Sequence, residues 1–144
     1  MKARSFDSDS EGSFDAKVEE IDEDVLWNMT LDMVFALKHV HDSGFVHLDI
    51  KPSNFFVCES GTVKLGDFGM AQELSNLDNV DHEDVEGDCI YLAPEMLDFT
   101  SRPSLKASFK SDIFSLGATI LEIATGVSLP KNGPVWQKLR EGNI

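Results

Sequence analysis

The sequence predicts an α+β fold made mainly of helices, and three observations carry that prediction. Leu26, Met29, Met33, Leu37 and Val40 recur at steps of 3, 4, 4 and 3, which sets them on one face of a long helix. Residues 112–125 carry Ile113, Phe114, Leu116, Ala118, Ile120, Leu121, Ile123 and Ala124, so a second helix is expected there, buried on nearly all sides. Between them, Phe55-Phe56-Val57-Cys58 and Val63-Lys64-Leu65 are joined through Glu59-Ser60-Gly61-Thr62, the pattern of a short β-hairpin turned at a glycine.

Taken in order, residues 1–20 mix Ser5, Ser8, Ser10 and Ser13 with Asp7, Asp9, Glu11 and Asp15, too polar to bury a core, and are expected to be a mobile tail. The remaining residues, 21–144, read as one partial domain. The first helix spans about 21–43, with Asp22, Glu23 and Asp24 near its start and Lys38 and His39 near its end, as the helix dipole favours, and Gly44 stops it. Phe45-Val46 is a short extended lead into the stretch at 47–54. Residues 71–85 are polar and acidic without apolar periodicity, and a surface loop is expected. Gly126 ends the helix at 112–125, and Asp112 at its amino end needs hydrogen bonds if it is buried. Pro134 opens a last helical run through Arg140.

The charge is strongly acidic, −14 from 26 acidic and 12 basic residues, and residues 1–24 and 73–88 hold 16 of the acids. Such runs are solvated faces, and the balance disfavours nucleic acid and anionic membrane as partners. The sequence contains no run of eighteen apolar residues and no signal peptide. Cys58 and Cys89 form no disulfide framework or zinc pattern, which points to a reducing compartment. His39, His41 and His82 have no metal-ligand spacing with cysteine and are assigned no site.

The chemistry is concentrated in His47-Leu48-Asp49-Ile50-Lys51-Pro52-Ser53-Asn54. It places a carboxylate, a cation and an amide within one loop, with Pro52 restricting the backbone between them. Eighteen residues after Asp49 comes Asp67-Phe68-Gly69, Ala93-Pro94-Glu95 closes a 29-residue segment from Asp67, and Asp112 opens Asp-Ile-Phe-Ser-Leu-Gly. In this order and at this spacing the four motifs resemble those of protein kinases. The resemblance implies a protein-kinase-like fold represented mainly by its α-helical C-terminal lobe, with catalytic loop 47–54, activation segment 67–95 and buried helix 112–125. It also implies ATP and Mg2+ as cofactors, Asp49 as the base for the substrate hydroxyl, Lys51 as the cation on the phosphate, and Asn54 and Asp67 as metal and nucleotide-site ligands. By the same resemblance His47 is structural beneath Phe68, Asp112 binds backbone N–H groups of the catalytic loop, and Glu95 pairs with an arginine that this sequence does not supply. No Gly-x-Gly-x-x-Gly, Val-Ala-Ile-Lys-like strand or partner Glu helix precedes Asp49, so the nucleotide-clamping N-terminal lobe is expected to be absent.

Two departures narrow the resemblance. Leu48 stands where many kinases carry an arginine that receives a phosphorylated activation segment, and between Gly69 and Glu95 only Ser75 and Tyr91 bear hydroxyls. Activity is therefore expected not to depend on phosphorylation of that segment. Glu86-Gly87-Asp88 puts a carboxylate where Ser/Thr kinases have a hydroxyl near the acceptor, and Asp88 is expected to pair with Lys51 and alter acceptor choice. Together with Val46 to Asn54, Lys64 to Gly69, Tyr91 to Glu95, Asp112 to Gly117, and Leu129-Pro130 through Trp136-Gln137-Lys138-Leu139-Arg140, this is similar to the Wee/Myt family of mitotic-inhibitor kinases. The intact Asp67-Phe68-Gly69 and Ala93-Pro94-Glu95 are closer to its Myt branch.

That resemblance implies phosphorylation of a protein substrate on Ser/Thr, and on Tyr, with a cyclin-dependent kinase as partner at the entry to mitosis. It implies an intracellular location in cytoplasm or nucleus, or on endomembranes for a longer Myt-like product. The competing reading is a non-catalytic substrate-docking or binding module, because without a phosphate-cradling lobe both positioning and charge neutralisation fail. On either reading the 144 residues alone are expected to be inactive. A small-molecule phosphotransferase is disfavoured by Ala93-Pro94-Glu95 and the helix at Asp112.

Overall fold

The computed structural model describes residues 21–79, 89–97 and 107–142. The expected acidic tail at 1–20, His82 and Asp88 lie outside the described residues.

Helix α1 runs Glu23–Asp42. The Asp22 side chain caps it by accepting from the N–H groups of Asp24 at 3.0 Å and Val25 at 3.3 Å. Met33, Leu37 and Val40 of the predicted stripe are buried, while Leu26 and Met29 are half-buried. Burying an aliphatic side chain of this size stabilises a fold by roughly 1.5–3 kcal/mol. The chain then forms β1 (Phe45–Val46), the catalytic-loop stretch with a 3-10 turn at Pro52–Asn54, β2 (Phe55–Val57) and β3 (Val63–Leu65). β2 and β3 pair antiparallel with Phe56 opposite Lys64, and Gly61 supplies the left-handed turn at φ 84°. The predicted hairpin is thus present, and Asp32 of α1 ties it down by accepting from Val63 N at 2.8 Å.

The expected loop at 71–85 is corrected in its described part. Gln72–Glu73 forms β4, antiparallel to β1, and Leu74–Asn79 is a 3-10 segment that buries Leu77. A two-residue strand has no periodicity to detect, so only the tertiary pairing with Phe45 and Val46 defines it. Residues 80–85 lie outside the description.

A short helix, α2, spans Pro94–Leu97, followed by α3 (Phe109–Thr125) and α4 (Gly133–Arg140). α3 starts three residues before the expected Asp112 because Ser108 and Ser111 form a reciprocal capping box, and it ends at Gly126, φ 63°. The expectation that α3 is buried on nearly all sides does not hold. Its buried face is Ser111, Asp112, Ser115, Leu116 and Thr119, whereas Ile113 is 56% exposed. Hydroxyls can occupy that face because each is satisfied: Ser115 Oγ lies 2.8 Å from Tyr91 O, and Thr119 Oγ1 donates to Ser115 O at 2.8 Å. The apolar side, with Ile113, Phe114, Ile120 and Leu121, instead borders an open cavity of about 510 Å³ reaching Leu129 and Leu139.

Two apolar clusters result. One joins Met33, Leu37, Ile50, Val63 and Leu116, and the other Val46, Leu48, Leu77, Leu92, Ala93 and Met96. Leu48 therefore enters one cluster and Ile50 the other. Asp49, between them, is held from both sides.

Candidate active site

Asp112 organises the site from below. It is 1% exposed, and its Oδ2 accepts from His47 N at 2.8 Å while Oδ1 accepts from Leu48 N at 2.9 Å. Nε2 of His41 lies 2.8 Å from the same Oδ2, with the His41 ring stacked on Phe109 at 4.3 Å. A buried carboxylate with this many donors avoids the penalty of an uncompensated charge. The anchored loop contains a strained residue, since Leu48 has φ 65°, a conformation that costs a branched side chain on the order of 1–3 kcal/mol. The two N–H bonds to Asp112 and the burial of the Leu48 side chain offset that strain.

His47 is fully buried and its partners fix its tautomer. Nδ1 accepts from Asp49 N at 3.4 Å, so Nε2 carries the proton and donates to Gly66 O at 3.1 Å. Its ring packs on Phe68 with centroids 5.0 Å apart. The contact links the catalytic-loop stretch to Asp67-Phe68-Gly69, as the sequence resemblance implied.

Asp49, Lys51 and Asn54 converge. Lys51 Nζ sits 2.8 Å from Asp49 Oδ2, and Asn54 Nδ2 donates to the same oxygen at 2.9 Å and to Asp49 O at 2.7 Å. Both side-chain contacts use Oδ2, so Oδ1 of Asp49 is the oxygen left for a substrate hydroxyl. Asn54 is buried with its nitrogen committed, so Oδ1 is its atom for a cation. Gly66 N donates to Asn54 O at 2.9 Å, which brings the hairpin's far end back to the loop and sets Asp67 one residue beyond that bond. Asp67 is exposed at φ 57°, with Gly69 N donating to its Oδ1 at 3.4 Å. An amide oxygen and a carboxylate are hard donors that suit Mg2+, which keeps waters and phosphate oxygens for its other positions. Among the described residues no group of three His, Cys, Asp or Glu side chains gathers as a metal centre.

The remaining predicted residues separate. Glu95 accepts from Ser111 Oγ at 3.1 Å, a hydroxyl where the resemblance implied an arginine. The expected pairing of Lys51 with Asp88 involves a residue outside the description, and the ammonium is found on Asp49. His41, assigned no site from the sequence, is a partner of Asp112 71 residues away. Local spacing gave no signal for it. Arg140 was likewise legible only as a helix position, yet its Nη2 lies 2.7 Å from Cys89 O, 2.8 Å from Ile90 O and 3.2 Å from Leu92 O.

The sequence matches the protein kinase domain across residues 6–141. The chain belongs to the protein kinase family. Its relatives include the membrane-associated tyrosine- and threonine-specific cdc2-inhibitory kinase wee-1.3 of Caenorhabditis briggsae, 44% identical over 122 residues, which are 85% of this chain and 18% of that protein. The mitosis inhibitor protein kinase SWE1 of Candida albicans is 42% identical over 125 residues, 87% of this chain and 10% of its own. The mitosis inhibitor protein kinase wee1 of Schizosaccharomyces pombe is 39% identical over 141 residues, 92% of this chain and 15% of its own. The kinase chain described here thus spans less than a fifth of each of these three relatives, and the similarity supports the Wee family within the kinases.

Proposed function

We propose that this chain is the catalytic-loop portion of a Wee/Myt-type protein kinase that transfers the γ-phosphate of ATP to Ser/Thr, and also Tyr, of a cyclin-dependent kinase in mitotic control. The convergence of Lys51 and Asn54 on one oxygen of Asp49 carries the proposal. Asp49 Oδ1 would accept the hydroxyl proton as the acceptor oxygen attacks phosphorus. Lys51 would offset charge on the transferred group, while Asn54 and Asp67 would hold Mg2+, which when bound neutralises the phosphates. The anchoring of residues 47 and 48 by Asp112 keeps these groups in place before substrate arrives, and preorganisation supplies much of the rate in phosphoryl transfer.

The intact Asp67-Phe68-Gly69 and Ala93-Pro94-Glu95 favour the Myt branch. Leu48 packs in the cluster with Leu77, Leu92 and Met96. An apolar contact thus occupies the position from which an arginine would receive a phosphate, and supports activity without activation-segment phosphorylation. The 144 residues contain no Gly-x-Gly-x-x-Gly, and we take them to be inactive by themselves. Two free cysteines suit a reducing intracellular compartment.

The test is phosphate transfer to a cyclin-dependent kinase by the longest native product. Asp49→Asn is expected to lower kcat by about 10²–10⁴ with little change in ATP affinity. Undiminished transfer by that variant would sink the assignment of Asp49 as the base, and absence of transfer by the wild-type product would leave a docking module.

A further inference from the structure

Residues 89–92 have no helix or strand, yet all four of their carbonyls accept hydrogen bonds from side chains of α3 and α4. Arg140 Nη2 reaches Cys89 O, Ile90 O and Leu92 O, Ser115 Oγ reaches Tyr91 O at 2.8 Å, and Trp136 Nε1 adds a 3.4 Å bond to Cys89 O. Irregular backbone brought against a fold must find partners of this kind or remain hydrated. Nη2 has two hydrogens and three acceptors, so one bond is shared between two oxygens.

The guanidinium is also fixed edge and face. Its carbon stands 3.7 Å from the Trp136 ring centroid and 5.7 Å from that of Phe114, and Nη1 returns to Trp136 O at 3.3 Å. Nε is buried without a hydrogen-bond partner among the described residues. Burial pulls the Arg140 pKa below its ordinary value, with the nearby Cys89 acting electrostatically in the opposite sense. A lysine has neither the plane to stack nor a fork to span three carbonyls.

The segment so held runs directly into Ala93-Pro94-Glu95. We infer that Arg140, stacked on Trp136, is a positioning residue that sets the backbone of residues 89–92 as the platform for the acceptor segment of the protein substrate. This rests on the kinase reading above, and ATP handling at Asp49, Asn54 and Asp67 lies outside its reach.

Two measurements test it. Hydrogen exchange on the 144-residue chain reads the clamp without catalysis. Arg140→Gln should speed exchange of the amides in 89–93 by roughly ten- to a hundredfold relative to wild type while α1 amides stay unchanged, with Arg140→Lys intermediate. If Arg140→Gln loosens α1 as well, Trp136→Leu, which keeps the guanidinium but removes its stack, takes its place with the same expectation. Unchanged exchange in 89–93 overturns the clamp. In the longest native product the same variants should raise KM for the protein substrate about tenfold or more and leave KM for ATP unmoved. Equal changes in both constants, or none, overturn the acceptor role even where exchange has responded. Absence of Asp49-dependent transfer by the wild-type product would overturn the kinase reading and the acceptor role together, while the exchange result still decides the clamp.

Discussion

Two irregular segments of this kinase-family chain are each held by one charged side chain from a helix, and they are held in opposite senses. Asp112, in the first turn of α3, takes the N–H groups of His47 and Leu48. Arg140, in the last turn of α4, takes the carbonyls of residues 89, 90 and 92. Each charge has the sign its helix end favours, an acid at the amino end and a base at the carboxyl end. That sign then decides which backbone group can be gripped. The two clamps differ in depth: Asp112 is 1% exposed with three partners, whereas α4 buries no residue completely and Arg140 Nε has no hydrogen-bond partner among the described residues. The catalytic-loop clamp is therefore part of the core, and the clamp on 89–92 is an attachment to it.

Asp112→Ala should break the comparison most severely. It strands two buried N–H groups and the strained Leu48, and a loss of about 3–5 kcal/mol is expected from urea unfolding. A loss below about 1 kcal/mol would mean the loop is held by apolar packing instead. Ser115→Ala sharpens the other side, because it removes one bond to residue 91 while leaving Arg140 in place. About 1 kcal/mol is expected by the same unfolding measurement. A cost matching that of Asp112→Ala would show the two clamps to be equally deep. The smallest effect belongs to Lys38→Ala, whose partner Asp42 sits four residues on with both side chains 61% exposed. Less than about 0.5 kcal/mol should be lost, and less still in high salt, since solvent screens such pairs. A larger loss would mean that the end of α1 near His41 contributes to holding Asp112.

Much of the site was legible from residue order alone. Asp49, Lys51 and Asn54 lie within six residues and Pro52 constrains the turn between them, so their convergence is local. The stripe of α1 is readable because Met33 and Leu37 pack with Ile50 of the loop and Val63 of the hairpin, and Met29 packs against the same cluster. α3 departs from the sequence expectation for a physical reason. Apolar content reports which residues can be buried, but Ser111, Ser115 and Thr119 take the buried face because nearby carbonyls and Glu95 satisfy their hydroxyls.

By itself the sequence determined the three longer helices, the hairpin and the carboxylate, cation and amide of the catalytic loop, because periodicity, capping and turn chemistry act over a few residues. Only the tertiary structure decided that His41 meets Asp112, that Gln72–Glu73 pairs with β1, and that Arg140 holds a segment about fifty residues before it. Each of these is a polar group finding a partner far away in the chain. Such partners are selected by what burial leaves unsatisfied, and spacing along the chain carries no record of that.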